Sequence, residues 1–153
     1  MTGFTRSLIV AVGMLCAACA YASGKADVEF FAVAADGDVK LPFSEAVRVG
    51  NLLFLSGQIG LMPGTMELAP GGIQPETRQT LERIRATLEK FGSSMSQVVK
   101  CTVFLADISD WAAMNEVYVQ FFPDNPPARS ALGTNGLALG ARTEIECIAA
   151  VDR

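Results

Sequence analysis

The sequence contains no histidine among its 153 residues. Histidine is the commonest general base at neutral pH, and it is part of the serine–histidine–aspartate triad, the cysteine–histidine dyad and most catalytic zinc sites. Its absence excludes the triad and the dyad and argues against a zinc site. Any chemistry of this chain must therefore use arginine, carboxylates, hydroxyls and backbone groups.

Positive charge is also scarce. Lys and Arg number 12 against 16 Asp and Glu, which gives a formal net charge of −4, and the basic residues are scattered along the chain. Because phosphate backbones are bound by clustered Lys and Arg, no nucleic-acid partner is expected. Half of the residues are apolar, so length and composition predict one compact domain with a sizeable core.

The first 22 residues have the pattern of a secretory signal peptide. Arg6 supplies positive charge, residues 8–16 form a short apolar core, and Ala20-Tyr21-Ala22 matches a cleavage motif. The apolar run is short for a membrane span. We expect cleavage after Ala22, a mature domain over residues 24–153 without a membrane anchor, and a periplasmic or secreted protein. A buried first helix and a lipoprotein signal ending at Cys19 are the alternatives.

Cysteine is sparse in the expected mature chain, which keeps only Cys101 and Cys147 after loss of Cys16 and Cys19. An exported protein with two cysteines could form one disulfide. Both residues stand in apolar, strand-like runs, where cysteine often behaves as a small hydrophobe. This context favours two buried free thiols.

Strands and helices alternate along the predicted domain. The patterns predict an edge strand at 30–33, a hairpin of 46–49 and 52–59 around Gly50-Asn51, a loop at 60–72, a helix at 74–91, a strand at 98–105, a helix capped by Asp110 and ended by Pro123, and a last strand at 143–151. This order predicts an α+β domain with helices on one face of a sheet. The expected core stripes of the helices are Leu81, Ile84, Leu88 and Phe91, and Met114, Val117, Tyr118 and Phe121.

Arg129 is the first candidate functional residue. It follows Pro126-Pro127-Ala128, and a guanidinium held by a stiff Pro-Pro turn suits a carboxylate, because its planar fork donates two parallel hydrogen bonds. Glu144 and Glu146 are two residues apart on the last predicted strand, so both leave the same face. A solvated strip of carboxylates and a cleft carboxylate that moves protons are the two interpretations of this pair.

Several segments resemble the RidA (YjgF) family, also known as L-PSP endoribonucleases. The resemblance covers nearly all of residues 41–151, in order. It is carried by Phe43-Ser44-Glu45-Ala46-Val47, Val49-Gly50-Asn51, Leu55-Ser56-Gly57-Gln58-Ile59, Gln79-Thr80-Leu81-Glu82, residues 99–105, Asn115-Glu116-Val117-Tyr118, Pro127-Ala128-Arg129-Ser130 and Glu144-Ile145-Glu146.

The resemblance implies a chorismate-mutase-like sheet with two main helices on one face, assembled as a homotrimer with clefts between subunits. It also implies an enzyme that hydrolyses 2-aminoacrylate-type enamines and imines to 2-keto acids and ammonia, a 2-iminobutanoate/2-iminopropanoate deaminase-like hydrolase without a metal or organic cofactor. Arg129 would bind the substrate carboxylate, and Glu144 would orient the attacking water and shuttle protons. Ser56, Gly57 and Asn115 would contact or shape the pocket.

One departure from the family pattern concerns Phe43. The family commonly has Gly-Pro-Tyr where this chain has Leu41-Pro42-Phe43, and the tyrosine hydroxyl is implied in water handling. Phe43 keeps the substrate-facing ring and loses that hydroxyl.

Three hypotheses follow for the function of the protein: an imine deaminase, a non-catalytic protein that binds small carboxylates, and a ribonuclease or chaperone-like protein. The acidic balance and the missing histidine make ribonuclease the weakest.

Overall fold

The computed structural model describes residues 27–33 and 41–151. The expected signal peptide lies outside these residues. Seven strands are described: β1 (Val28–Ala32), β2 (Ser44–Val49), β3 (Leu52–Leu55), β4 (Gln58–Ile59), β5 (Val98–Leu105), β6 (Ala128–Gly133) and β7 (Thr143–Ala150). Two α-helices accompany them, α1 (Ile73–Lys90) and α2 (Trp111–Phe121).

The strands form one mixed sheet in the order β1-β2-β3-β7-β5-β6, and β4 also pairs with β7. Among the described strands, only β5 and β6 pair in parallel, and the other pairings are antiparallel. The predicted edge strand, the hairpin around Gly50-Asn51, both helices and the strands β5 and β7 are confirmed, with ends that differ by a few residues. The sequence alone predicted a continuous second hairpin strand to Ile59, but the strand is interrupted at Ser56-Gly57.

The core lies between the two helices and one face of the sheet. Alternate residues of β5 and β7 are buried, and they form one cluster with the expected helix stripes. Leu81, Ile84 and Leu88 of α1 are fully buried, and Phe91 packs at the edge of the cluster. The prediction of an α+β domain with both helices on one face is therefore confirmed. Among the described residues no helix has the length and apolar character needed to cross a bilayer.

The ends of the helices follow from local sequence. Gly92 adopts φ 79°, and the amides of Gly92 and Ser93 donate to the carbonyls of Glu89 and Leu88 at 3.2 and 2.8 Å. This hydrogen-bond pattern closes the end of α1, as the glycine predicted. Asp110 does precede α2, but its side chain makes no cap. Its carboxylate instead accepts from the guanidinium of Arg142 at 2.9 and 3.1 Å.

The expectation of two free thiols is wrong. Cys101 and Cys147 are directly paired neighbours on β5 and β7, and their sulfurs form a disulfide. Both cysteines are buried, so the predicted apolar environment is confirmed, although their sulfurs are bonded to each other. The two cysteines are 46 residues apart in the sequence. The strand register that places their side chains opposite each other could therefore not be predicted from local pattern.

Candidate active site

Arg129 lies on strand β6, where the sequence had suggested a stiff Pro-Pro turn and no strand. It pairs in register with Cys101 of β5, and its side chain points to the face of the sheet that the helices cover, because paired residues share a face. There Nη1 donates to Oδ1 of Asn115 on α2 at 2.6 Å. The helix thus fixes one edge of the guanidinium, and the remaining donors stay available for a ligand.

Two aromatic rings flank this guanidinium. Its central carbon lies 4.6 Å from the ring centre of Tyr118 and 5.8 Å from that of Trp111, within the range of cation–π attraction. Burial raises the pKa of Tyr118 to about 12, and the charge of Arg129 opposes this rise. Tyr118 is therefore neutral at physiological pH and contributes its ring.

The residues around Arg129 could partly have been found from sequence. Trp111, Asn115 and Tyr118 are spaced at i, i+4 and i+7, which places them on one face of α2. Only Asn115 was named as a site residue, through the family resemblance, and Tyr118 was named only as core. The structure shows that one helix face both closes the core and holds the arginine.

Glu144 lies at the start of β7, on the opposite side of the sheet. It pairs with Ile59 of β4 and with Phe104 of β5. Gly57 lies directly against its carboxylate, because a Cβ on Gly57 would overlap Oε1 of Glu144. Within the described part of the chain Glu144 makes no hydrogen bond or ion pair. An acidic group without a partner, next to an open backbone, can accept a proton from water.

Ser56 and Gly57 form the interruption between β3 and β4. The hydroxyl of Ser56 donates to the carbonyl of Ser44 at 2.6 Å, and its amide donates to the carbonyl of Glu45 at 3.1 Å. Ser56 therefore anchors this interruption to β2 and leaves Gly57 beside Glu144. Phe43, just before β2, is 55% exposed and lines an open groove with Phe30 and Leu41.

The structure brings the expected site residues together in two groups within one chain. Arg129 and Asn115 are joined on the helix side, whereas Gly57 and Glu144 meet on the other side. β6 and β7 both flank β5, but Arg129 pairs with Cys101, whose side chain is buried beneath the helices, and Glu144 pairs with Phe104. Successive residues of a strand point to opposite faces of the sheet. Cys101 and Phe104 are three residues apart on β5, so their partners Arg129 and Glu144 also point to opposite faces. A small ligand on one face of the sheet therefore cannot contact both Arg129 and Glu144 of the same chain.

The side of the sheet opposite the helices, here called the open face, carries many apolar side chains. Phe30 is 70% exposed and Phe54 is 38% exposed. The pairings place on the same face Val28, Phe30, Val47, Val49, Leu52, Phe54, Phe104, Leu132 and Ile148. An apolar surface of this extent is typical of protein contacts rather than of a free monomer surface.

The sequence matches the family model for endoribonuclease L-PSP over residues 33–151. A RutC family protein of Pyrococcus horikoshii is 46% identical over 108 residues, which cover 71% of this chain and 86% of that protein. A 2-iminobutanoate/2-iminopropanoate deaminase of Capra hircus is 44% identical over 108 residues, which cover 71% of this chain and 79% of that protein.

Solved structures are similar as well. RidA from an Antarctic Psychrobacter is 42% identical, with a TM-score of 0.70 over 78% of this chain and 94% of that one. E. coli TdcF with bound serine is 36% identical, with a TM-score of 0.69 over 74% of this chain and 91% of that one. The chain is thus similar to these proteins in both sequence and fold.

Proposed function

The chain belongs to the endoribonuclease L-PSP (RidA) family, and we propose that it hydrolyses small reactive enamines and imines to 2-keto acids and ammonia. The observation that carries this proposal is the state of Arg129. Its guanidinium is oriented by Asn115 and two aromatic rings, and no described carboxylate pairs with it. A fixed, unneutralised guanidinium is suited to the carboxylate of a small substrate.

The chemistry needs few groups. The carbon of a 2-imino acid is already electrophilic, so a held substrate and an oriented water are sufficient. Water adds to this carbon with formation of a C–O bond, and one of its protons passes through Glu144 to the nitrogen, which gives a carbinolamine. The hydroxyl proton of the carbinolamine then passes to the nitrogen in the same way, and the C–N bond breaks to release ammonia and the 2-keto acid. Glu144 accepts and returns one proton in each of the two steps and is unchanged at the end.

The relatives support this substrate class. Three mammalian relatives with 42% to 44% identity are named 2-iminobutanoate/2-iminopropanoate deaminases. TdcF was solved with serine, an amino acid whose carboxylate lies one bond from the carbon that bears nitrogen. The family description mentions ribonuclease, but the formal charge of −4 gives this chain little attraction for RNA.

We propose further that the active site is a cleft shared by two subunits of a homotrimer. The two groups of site residues lie on opposite faces of one sheet, so a cleft that contains both is completed by a second copy of the chain. The apolar open face offers a surface that further copies would cover. In a closed ring of three, each interface would combine Arg129 of one subunit with Gly57 and Glu144 of its neighbour.

The proposal is tested by supplying freshly generated 2-iminopropionate and following ammonia and pyruvate. Wild-type protein is expected to accelerate their release above the rate of spontaneous hydrolysis. Acceleration equal to that of an Arg129→Ala variant would contradict the proposal, because the carboxylate would then be bound elsewhere or not at all.

Replacing Gly57 by Ala is expected to lower kcat by about 10- to 100-fold, since small displacements of catalytic groups have effects of this size. The new methyl group would overlap the Glu144 carboxylate, and the flexible end of that side chain would swing away. The fold should persist, so the thermal unfolding midpoint should change little. A Gly57→Ala variant with wild-type kcat would show that Glu144 need not lie at Gly57.

Phe43 favours a second candidate function, the binding of small carboxylates without turnover. The missing hydroxyl removes one group for handling water, while the guanidinium site is intact. Phe43→Tyr is expected to raise kcat for imine hydrolysis by about 10-fold or more, without a change in affinity for 2-ketobutyrate; the gain is set below the roughly 10²- to 10⁴-fold typical of a positioned proton-transfer group, because Glu144 is already present. Phe30→Tyr, at an exposed ring of the same groove, is the matched control. An unchanged kcat in Phe43→Tyr would mean that this position does not take part.

We also propose that the protein is exported to an oxidising compartment. The disulfide between Cys101 and Cys147 supports this, because disulfides persist outside the reducing cytosol. The leader pattern of residues 1–22 is the second support. N-terminal sequencing of protein from the source cells should begin after Ala22, and a sequence beginning at Met1 would contradict export by this leader.

A further inference from the structure

One row of polar side chains on α1 contacts the end of the sheet that holds Glu144. Glu76, Gln79 and Arg83 are spaced at i, i+3 and i+7, so they lie on one side of the helix. Gln79 Nε2 donates to the carbonyl of Leu61 at 3.0 Å, and Arg83 Nε donates to Oε1 of Gln58 at 3.1 Å. This row, here called the α1 polar row, thus forms hydrogen bonds with β4 and with the residues that follow β4.

Glu76 is the most buried member of the α1 polar row, with 3% exposure. Its Oε1 accepts from the amide of Arg142 at 2.7 Å and from that of Thr143 at 3.2 Å. These are the two residues that immediately precede Glu144. A buried carboxylate requires such donors, and here both are backbone groups at the beginning of β7.

Glu76 also contacts the neighbouring strand. A Cβ on Gly60 would overlap the side chain and the carbonyl of Glu76, so the backbone that leaves β4 lies directly against it. β4 pairs with β7 at Glu144 itself, through Ile59. One buried side chain therefore holds both strands on which the contact between Gly57 and Glu144 depends.

We propose that Glu76 is a positioning residue that keeps the Glu144 carboxylate against Gly57. It lies on the helix side of the sheet and acts through the backbone of Arg142 and Thr143, without touching the substrate. The catalytic part of this inference rests on the proposed function of Glu144. The backbone part rests on the two hydrogen bonds alone.

The test compares Glu76→Ala with Glu76→Gln, whose amide oxygen can still accept from both amides. Glu82→Ala is the matched control, because Glu82 lies on the same helix in an exposed pair with Arg85. In the alanine variant, amide hydrogen exchange at Arg142 and Thr143 should accelerate by about 10-fold or more, and the proton–proton NOE between Gly57 and Glu144 should weaken. The glutamine variant and the Glu82→Ala control should resemble wild type.

Kinetics separate positioning from mere stability. The alanine variant should lose about 10-fold or more in kcat, while its affinity for 2-ketobutyrate stays within about twofold, because Arg129 lies on a different strand and is held by α2. Faster exchange with an intact NOE and an unchanged kcat would overturn the proposal and leave Glu76 a structural residue. Should the alanine variant fail to fold, Glu76→Asp retracts the same carboxylate by one methylene and gives the same comparison.

Failure of the proposed function would be visible separately. Wild-type protein without imine hydrolysis would refute the deaminase activity, and the exchange rates and the NOE would still decide whether Glu76 holds Glu144 in place. An active wild type with an unaffected alanine variant would refute only the role of Glu76.

Discussion

Arg129→Ala is expected to lower kcat/KM for 2-iminopropionate by about 10²- to 10⁴-fold and to weaken 2-ketobutyrate binding by a similar factor. The variant loses two charge-assisted hydrogen bonds to the ligand carboxylate, each worth about 1.5 to 3 kcal/mol, and a tenfold change corresponds to about 1.4 kcal/mol. Steady-state kinetics and calorimetric titration measure the two quantities. Both should fall together, because the guanidinium binds a carboxylate that is present in substrate and product alike.

Two variants control this experiment. Arg129→Lys keeps the charge but loses the planar fork and should recover only part of the affinity. Arg85→Ala removes another arginine that rests on an aromatic ring, with 4.9 Å between its guanidinium and the ring centre of Phe121, and it should leave both quantities unchanged. A similar loss in Arg85→Ala would indicate general damage to α2 packing, and full retention in Arg129→Ala would contradict the carboxylate site.

Glu144→Gln is expected to reduce kcat by about 10²- to 10⁴-fold, the range for loss of a positioned proton-transfer group. The amide has nearly the same shape as the carboxylate and should still fit against Gly57, but it cannot accept the proton of the attacking water. Binding of 2-ketobutyrate should remain within a few fold, since the Arg129 site is intact. The contrast between lost kcat and retained affinity distinguishes this variant from Arg129→Ala.

Glu146→Gln is the matched control for Glu144→Gln. Glu146 lies two residues further along β7 on the same face, and it pairs with Thr102 rather than lying against Gly57. Its replacement removes the same charge from the same strand and should leave kcat within about twofold if the effect of Glu144 is chemical and not electrostatic at a distance. Equal losses in both variants would contradict a specific role for Glu144.

Sequence reasoning predicted the elements whose pattern is local. The apolar spacing of Leu81, Ile84 and Leu88 defined α1, Gly92 marked its end, and the alternation around Ile145 defined β7. These features depend on the periodicity of apolar residues and on the conformational preferences of single residues, both of which can be read from the sequence.

Strand β6 was missed for a physical reason. It begins after two prolines, contains Gly133, and lies at the edge of the sheet with a weak alternation of burial. Its parallel partner β5 is supplied by a distant part of the chain. Pairing of this kind is decided by tertiary contacts, and so is the register that joins Cys101 to Cys147 in a disulfide.

The sequence named the candidate site residues, whose part in an active site stays a prediction, but it did not indicate their arrangement. Family motifs identified Arg129, Asn115, Gly57 and Glu144, and the structure joins the first two and the last two. The register of β6 and β7 on β5 places the pair of Arg129 and Asn115 on one face of the sheet and the pair of Gly57 and Glu144 on the other. Trp111 and Glu76 carry no motif of their own, and their contacts emerge only when α2 and α1 pack on the sheet.

The central claim, a cleft shared between subunits, is tested most directly by mixing two defective chains. Arg129→Ala and Glu144→Gln chains with different affinity tags are co-expressed, and complexes that contain both are purified and confirmed as trimers by light scattering. In a cyclic trimer every mixed complex has one cleft with both residues intact, so it should recover about one third of the wild-type kcat per trimer. Trimers that contain both chains and show only the background rate of the separate variants would contradict the shared cleft.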